Sequence, residues 1–286
     1  MGMLNGILLV DKPSGWTSHD VCAFVRKRFG IKKVGHAGTL DPLATGLLVL
    51  LLGSATKQSI PLSSCDKEYF GIMELGKKTD SHDRNGKIIG EANCEHITLE
   101  KIREAVQNFK GEITQVPPMV SALKHQGVRL YELARRGVTV PRQARKITVY
   151  RFDVEKKEGP LVHFSAHVSK GTYLRTLVHD VGEALGCFAT LAELRRIRSG
   201  EFQLKDGVTV EQLKQWSAKE LAEKTLPLPQ ACLWGWALIP ASALLEWLLK
   251  GLEERLRLSW IPKPFEGIPI LFILAAILFL ALWGAI

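Results

Sequence analysis

The chain has 286 residues, of which 46% are apolar, which is enough for one large domain or two small ones. It carries 38 lysines and arginines against 29 aspartates and glutamates, a formal net charge of +9. Residues 229–286 hold four basic and four acidic residues, so the whole surplus belongs to residues 1–228. This charge favours nucleic acid or another polyanion as partner, and a basic protein without such a partner is the alternative.

The five cysteines are odd in number and widely spread, with no spacing typical of a metal site. They indicate a reducing compartment and buried or incidental thiols. The first ten residues lack the basic start of a secretory signal and run straight into sequence typical of a folded domain. We therefore expect a cytoplasmic protein.

Gly6 to Val10 is predicted to form a first strand, followed by a turn. A helix then begins at a cap provided by Thr17 or Ser18 and ends at Gly30. The basic residues 26–28 in its last turn suit either phosphate contact or a solvated helix face.

The segment G-H-A-G-T-L-D-P-L-A-T-G, residues 35–46, is dense in glycine and proline and is predicted to form a shaped loop. The apolar run 47–52 after it has the length of a buried strand. Asp41 therefore lies on a loop attached to a rigid support. From its residues alone, Asp41 is a nucleophile, a general base or merely a turn residue.

The next predicted elements are a strand over 67–75, with Tyr69 on its inward face, a polar turn over 79–86 and an amphipathic helix over 98–109. Residues 115–124 are expected to be extended because two adjacent prolines prevent a helix there. Two strands over 145–157 and 161–169 precede a helix that runs to Leu185 and contains Arg175. The basic run 191–198 is predicted to be a further helix.

Four phrases of this sequence resemble the TruB family of tRNA pseudouridine synthases. They are D-K-P-S-G-W-T-S-H-D-V (11–21), the loop of residues 35–46, D-K-x-Y followed by L-G-x-x-T-D (66–80), and S-K-G-T-Y-x-R-T-L (169–177). The segment Q-x-P-x-x-x-S-A-x-K (115–124) adds a fifth. The resemblance covers roughly residues 4–228 and implies an α+β pseudouridine synthase fold, with a mixed, mostly antiparallel sheet flanked by helices.

The resemblance implies that the chain isomerises the T-loop uridine, position 55 of tRNA, to pseudouridine. Asp41 would be the nucleophile, at the ribose C1′ or at base C6, Arg175 would hold it ionised, and Tyr69 would stack on the base and assist removal of the C5 proton. His36, Tyr173 and Leu194 would shape the pocket for the extruded base, and Asp83 would approach the RNA or order the site. Lys124 and Lys170 would bind phosphates.

The isomerisation has no redox step, so no cofactor and no metal is expected. Without the family resemblance, Tyr69 would be interpreted as a core residue and Arg175 as a surface residue. A non-catalytic tRNA-binding protein that only opens the T-arm is a competing hypothesis. We expect a monomer that acts alone, without a guide RNA.

Residues 229–286 depart from the family, whose members usually continue into a β-rich PUA-like domain. Ile268 to Ile286 is free of charges, and at about 1.5 Å per residue a helix of that length just spans a bilayer core. Residues 254–270 are weakly similar to the end of an RnfA-type membrane subunit. The tail is interpreted either as a single anchor in the inner membrane or as a fusion or frameshift product. If the tail is an anchor joined to the chain by fusion, the competing hypothesis is that residues 1–228 no longer have a function.

Overall fold

The computed structural model describes residues 4–228, and the predicted apolar tail over 229–286, with its membrane span, lies outside the described residues. The strands are β1 (Gly6–Lys12), β2 (Val34–Ala37), β3 (Thr45–Leu52), β4 (Lys67–Leu75), β5 (Lys77–Thr79), β6 (Ile88–Glu91), β7 (Gly111–Gln115), β8 (Lys124–His125), β9 (Val128–Arg129), β10 (Arg145–Glu158), β11 (Leu161–Val168), β12 (Ala189–Ser199), β13 (Phe202–Gln203) and β14 (Val208–Thr209).

The helices are α1 (Ser18–Phe29), α2 (Ser59–Ser63), α3 (Leu99–Gln107), α4 (Leu130–Arg135), α5 (Leu174–Ala184), α6 (Val210–Gln215) and α7 (Ala218–Lys224). A 3₁₀ helix over Gly53–Gln58 joins β3 to α2, and a second over Leu204–Asp206 follows β13. Among residues 4–228, no helix is long and apolar enough to cross a membrane.

Within the described residues, ten strands form one mixed sheet in the order β14-β1-β3-β12-β4-β11-β10-β7, with β2 added to β3 and β13 to β12. Most neighbouring strands are antiparallel, and β12 runs parallel to β3. The predicted α+β class and its mostly antiparallel sheet are confirmed. The late strand β12 lies between two early strands, which brings distant parts of the chain to one place.

The sheet is covered on both faces around β3. Leu48, Leu50 and Leu52 pack in a large apolar cluster that includes residues of α1, α3 and α5, while the alternate residues pack in a smaller cluster with Ala55 and Leu62. Because successive side chains of a strand point to opposite faces, a strand buried on both faces is apolar throughout. This explains the unbroken apolar run that follows the Asp41 loop.

The predicted strand over 67–75 is confirmed as β4, with Tyr69 and Met73 buried on its inward face. The predicted helix over 98–109 is α3, capped by Thr98, whose hydroxyl accepts from the backbone N–H of Lys101. The predicted helix over 191–198 is wrong, because these residues form the central strand β12. Two bulges, at 191–193 and 196–198, break the strand alternation, so its apolar residues take on a helix-like spacing.

Candidate active site

The loop that carries Asp41 joins β2 to β3 and is held on both sides of that residue. The Ser18 hydroxyl donates to the Leu40 carbonyl at 3.1 Å and accepts from the Leu40 N–H at 2.8 Å. The backbone N–H of Gly15 donates to the Pro42 carbonyl at 2.9 Å, and Lys12 Nζ reaches the same carbonyl at 3.4 Å. The turn after β1 and the start of α1 therefore fix the backbone around Asp41.

Three buried cations lie near this loop, and two of them, Lys12 and Arg196, donate to its carbonyls. Arg196 donates to the carbonyls of Leu47 and Gly38, Lys67 donates to carbonyls of the segment 63–65, and Lys12 also donates to the carbonyls of Pro13 and Trp16. Burial lowers the pKa of Lys12 and of Lys67 to about 8, and the Arg196 charge contributes to both shifts. This group was not predicted from the sequence, because the burial of the three cations and the distant carbonyl partners of Arg196 depend on the packing of the whole sheet.

Gly46, the second residue of β3, has a backbone φ of 94°, which side-chain-bearing residues rarely adopt. A Cβ at this position would lie 2.3 Å from the carbonyl oxygen of Arg196. A glycine is therefore needed where the Asp41 loop meets β12.

Arg175 lies at the start of α5 and is almost fully buried, with its side chain 3% exposed. Its Nε is 2.9 Å from Asp41 Oδ2, and its Nη1 is 3.5 Å from Asp83 Oδ2. The Nε–H is not aligned with a hydrogen-bond acceptor, so the contact with Asp41 is an ion pair rather than an aligned hydrogen bond. One guanidinium therefore contacts the side chains of two carboxylates that lie far apart in the sequence.

Two backbone carbonyls complete the surroundings of this guanidinium. Nη1 donates to the Ser81 carbonyl at 3.0 Å, and Nη2 donates to the Val120 carbonyl at 2.8 Å. Each comes from a segment that the sequence analysis connected with the site, the polar turn 79–86 and the extended segment 115–124. The planar guanidinium thereby joins the Asp41 loop, the polar turn and the extended segment.

The start of α5 is positioned by Gln115, whose side-chain amide pairs with the backbone of Tyr173. Gln115 Oε1 accepts from the Tyr173 N–H at 2.9 Å, and Gln115 Nε2 donates to the Tyr173 carbonyl at 3.1 Å. Burial raises the pKa of the Tyr173 phenol. Tyr173 therefore enters α5 as a neutral, half-buried ring two residues before Arg175.

Asp83 is buried in a tightly folded turn. Its Oδ1 accepts from the Ser81 hydroxyl at 2.8 Å and from the Asn85 N–H at 3.0 Å, and its carbonyl accepts from the Thr79 hydroxyl at 2.8 Å. The turn is attached to β12 through Leu191, which pairs with it through backbone hydrogen bonds. Asp83 is thus an ordered partner of Arg175 rather than part of an exposed acidic turn.

Tyr69 lies on β4 directly opposite Arg196 of β12, and Arg196 lies opposite Gly46 of β3. Tyr69 is therefore two strands away from the start of β3, at the end where the Asp41 loop enters the sheet. Leu194, two residues before Arg196, pairs with Gly71 in the same ladder. The register places Tyr69 and Leu194 beside this loop.

His36 lies on β2, paired with Leu50 of β3, and its Nδ1 is buried without a hydrogen-bond partner in the described residues. Burial, with the Arg196 charge, lowers the pKa of this imidazole, so the ring is neutral near pH 7. A neutral, half-buried ring before the Asp41 loop is consistent with a space-filling role.

The two predicted phosphate-binding lysines are exposed and do not join the Arg175 network. Lys124 begins the short hairpin of β8 and β9, where it pairs with Arg129. Lys170 lies in the turn before α5, with its Nζ 3.5 Å from the Ser64 hydroxyl. Among residues 4–228, no group of three or more histidine, cysteine, aspartate or glutamate side chains is placed to hold a metal ion.

Two family models match the chain. Residues 26–174 match the model described as TruB family pseudouridylate synthase (N terminal domain). Residues 175–256 match the one described as tRNA pseudouridylate synthase B C-terminal domain, and this match extends past the described part of the chain.

Similar proteins include two that are named tRNA pseudouridine synthase B. The one from Syntrophotalea carbinolica is 46% identical over 228 residues, which cover 80% of this chain and 74% of that protein. The one from Opitutus terrae is also 46% identical over 228 residues, covering 80% of this chain and 95% of that protein. The crystal structure of a Cbf5-Nop10-Gar1 complex contains a chain that is 32% identical with a TM-score of 0.61, covering 78% of this chain and 60% of that one.

Proposed function

The chain belongs to the TruB pseudouridylate synthase family, and on that basis we propose that it isomerises the T-loop uridine of tRNA to pseudouridine. The observation that carries this proposal is the contact between Arg175 and Asp41. A carboxylate whose side chain is 39% exposed can reach a substrate, while its buried ion-pair partner keeps it in place. This is the arrangement that a positioned nucleophile requires.

In this mechanism Asp41 attacks the target nucleotide, at C1′ or at base C6, and the glycosidic bond is replaced by a bond from C1′ to C5. Arg175 pairs with the Asp41 carboxylate and keeps it oriented, since the position of Arg175 is itself fixed by the carbonyls of Ser81 and Val120. Tyr69 stacks on the base and assists removal of the C5 proton. The uracil is conserved in the product, so these side chains need to supply only a nucleophile, a base and a pocket.

The bound nucleotide must leave its stack to reach Asp41, and His36, Tyr173 and Leu194 form the pocket that receives it. Two observations support this role: His36 and Tyr173 are neutral rings, and Leu194 shares the strand ladder with Tyr69. Asp83 orders the site through Arg175. Lys124 and Lys170 bind phosphates at a distance from the chemistry, as exposed lysines do.

The direct test is incubation of the full chain with an unmodified tRNA transcript, followed by mapping of pseudouridine. We expect modification at the T-loop uridine. The matched control is Asp41→Asn, which keeps the size of the side chain but removes the nucleophile. We expect it to lose at least about 1,000-fold in turnover and to bind tRNA within about threefold of the parent.

Turnover of Asp41→Asn within tenfold of the parent would refute the role of Asp41. If the parent binds tRNA and forms no pseudouridine, the competing hypothesis of a non-catalytic tRNA-binding protein would hold instead. The same two proteins therefore separate the two functions.

We propose further that the enzyme is monomeric and works in the cytoplasm, where tRNA is found. The tail over 229–286 has an uncharged segment preceded by basic residues, which prefer the cytoplasmic side of a membrane. A single span therefore leaves the catalytic residues on the cytoplasmic side. Carbonate-resistant membrane association that disappears on truncation after Leu228 would support an anchor, whereas a fully soluble full-length chain would refute it.

A further inference from the structure

Two histidine rings stack face to face beside the Arg175 network. The centroids of the His82 and His179 rings are 3.9 Å apart, and their planes differ by 9°. The Nδ1 atoms of both rings are buried without a hydrogen-bond partner in the described residues. The pair therefore interacts mainly through its ring faces. The mechanism proposed above does not use it.

Each ring belongs to an element that holds Arg175. His179 lies four residues after Arg175 on α5, so both side chains leave the same face of that helix. His82 lies between Ser81, whose carbonyl accepts from Arg175, and Asp83, whose carboxylate pairs with Arg175. The stack therefore joins the two elements directly, one helical turn from the guanidinium.

The backbone of His82 has a φ of 64°, in the left-handed region that is uncommon for residues other than glycine. This conformation reverses the chain so that Ser81 and Asp83 both approach Arg175. The His82 carbonyl accepts from the Leu191 N–H at 3.0 Å, which attaches the same turn to β12. The turn thus has a backbone attachment to β12 and a side-chain attachment to α5.

Both rings are neutral near pH 7. Burial, the positive charge that His179 carries when it is protonated and the Arg175 charge lower the pKa of His82 to about 3, and burial also lowers that of His179. Because the two rings are uncharged, they do not compete with Arg175 for the carboxylates of Asp41 and Asp83. Glu183 Oε1 lies 3.8 Å from His179 Nε2, and Glu183 is one helical turn further along α5 than His179.

We propose that the His82–His179 stack positions Arg175 for catalysis by fixing the turn of Ser81 and Asp83 against α5. This proposal rests on the proposed function. Arg175 can hold Asp41 in a reactive geometry only if its other contacts do not move. Loss of the stack removes one of the attachments between the turn and α5 and lets the turn shift, and a displacement of the order of 1 Å at a reacting group can lower a rate about 100-fold.

The test compares two substitutions of His179, both of which suit a helix interior or a buried site. His179→Ala removes the ring, whereas His179→Phe keeps a flat ring that can stack on His82. Both substitutions remove the contact with Glu183, so a difference between them reports on the stack. His82→Asn is the partner test, because asparagine tolerates the positive φ and has no ring. Single-turnover rates with saturating enzyme, tRNA dissociation constants and melting temperatures are measured for the parent and each variant.

We expect His179→Ala and His82→Asn each to lower the single-turnover rate about 10- to 100-fold, with the tRNA dissociation constant within about threefold of the parent. His179→Phe should keep the rate within about threefold. The double variant His82→Asn/His179→Ala should lose little more than either single variant, because both remove the same stack.

Unchanged rates in His179→Ala, or equal losses in His179→Ala and His179→Phe, would overturn the positioning role even if the melting temperature falls. A parent that forms no pseudouridine would overturn the proposed function and this inference with it. An active parent with unaffected variants would overturn this inference alone.

Discussion

A single buried guanidinium connects the carboxylates of Asp41 and Asp83. Removing a partner from a buried charge is costly, whereas an exposed ion pair contributes little. Asp41 is partly exposed and Asp83 is buried, so the two contacts of Arg175 differ in kind. We interpret Asp83 as the anchor of Arg175 and Asp41 as the group that Arg175 presents to the substrate.

Arg175→Lys tests this interpretation. Lysine keeps the charge but has one nitrogen, which cannot reach Asp41, the Ser81 carbonyl and the Val120 carbonyl together. We expect turnover to fall at least about 100-fold and stability to fall by about 1–3 kcal/mol, with tRNA affinity nearly unchanged. Kinetics and chemical denaturation check both effects. A loss of affinity without a loss of turnover would make Arg175 a phosphate contact instead.

Lys12 should make the stability of the protein depend on pH. Its pKa is about 8 in the folded protein, against an ordinary value of 10.5. Between these values the unfolded chain binds more protons, so the free energy of unfolding rises with pH, by at most about 1.4 kcal/mol per pH unit. Below the folded pKa both states are protonated and the contribution is constant.

The measurement is denaturant unfolding of the parent and of Lys12→Met at about pH 7.5 and about pH 9.5. Lys67 has a similar shift but is present in both proteins, so its effect cancels in the difference. We expect the parent to gain stability relative to Lys12→Met as the pH rises. A difference that does not change with pH would mean that the Lys12 charge is fully compensated in the folded protein.

Among the secondary-structure elements, the start of α1 stabilises the loop that carries Asp41. Ser18 is 2% exposed and makes two hydrogen bonds to the backbone of Leu40, the residue before Asp41. Removing its hydroxyl leaves a buried N–H and a buried carbonyl without this partner. Helix α1 therefore contributes to the site by fixing the backbone next to Asp41.

Ser18→Ala is expected to cost about 1–3 kcal/mol of stability and to lower turnover more than tRNA affinity. Ser14→Ala is the matched control, because Ser14 is exposed and its hydroxyl only reaches the Leu43 carbonyl at 3.4 Å. We expect the control to stay within about 0.5 kcal/mol of the parent. Equal effects of the two substitutions, measured by denaturation and steady-state kinetics, would contradict the proposed support of the Asp41 loop.

Local sequence patterns predict most elements of this protein, because their signals are local. The alternation of β4 and the cap and apolar spacing of α3 are examples. Strand β12 was mispredicted because its two bulges and its buried Arg196 depend on neighbouring strands. For the same reason the buried state of Lys12 is not visible in the sequence, since one of its carbonyl partners, Pro42, lies 30 residues away.

The candidate site likewise depends on contacts between residues that are distant in the sequence. By default an arginine at a helix start is a surface residue, and only the motif around Arg175 assigned it to a site. Its contact with Asp41 joins residues that are distant in sequence, so no periodicity predicts it. The His82–His179 stack was not predicted, because His82 occupies a variable position of the polar turn 79–86 and its contact with His179 joins residues that are 97 positions apart.

At the scale of the whole molecule, the basic surplus of residues 1–228 should govern binding to RNA. Phosphate contacts release counterions, so the logarithm of tRNA affinity should fall linearly with the logarithm of salt concentration, by about 0.9 per contact on duplex regions. Lys124→Ala and Lys170→Ala should each reduce this slope by about one and leave single-turnover rates at saturation nearly unchanged. An affinity that does not respond to salt would count against RNA as the partner.

The position of β12 between β3 and β4 has a consequence for synthesis of the protein. Until residues 189–199 leave the ribosome, the edges of β3 and β4 that β12 will occupy have no partner from this chain. Unpaired strand edges invite pairing with other chains. A nascent chain shorter than this therefore contains Asp41 and Tyr69 without the strand that lies between β3 and β4. It also exposes two edges that are prone to aggregation, so completion of the site and protection from aggregation occur in one step.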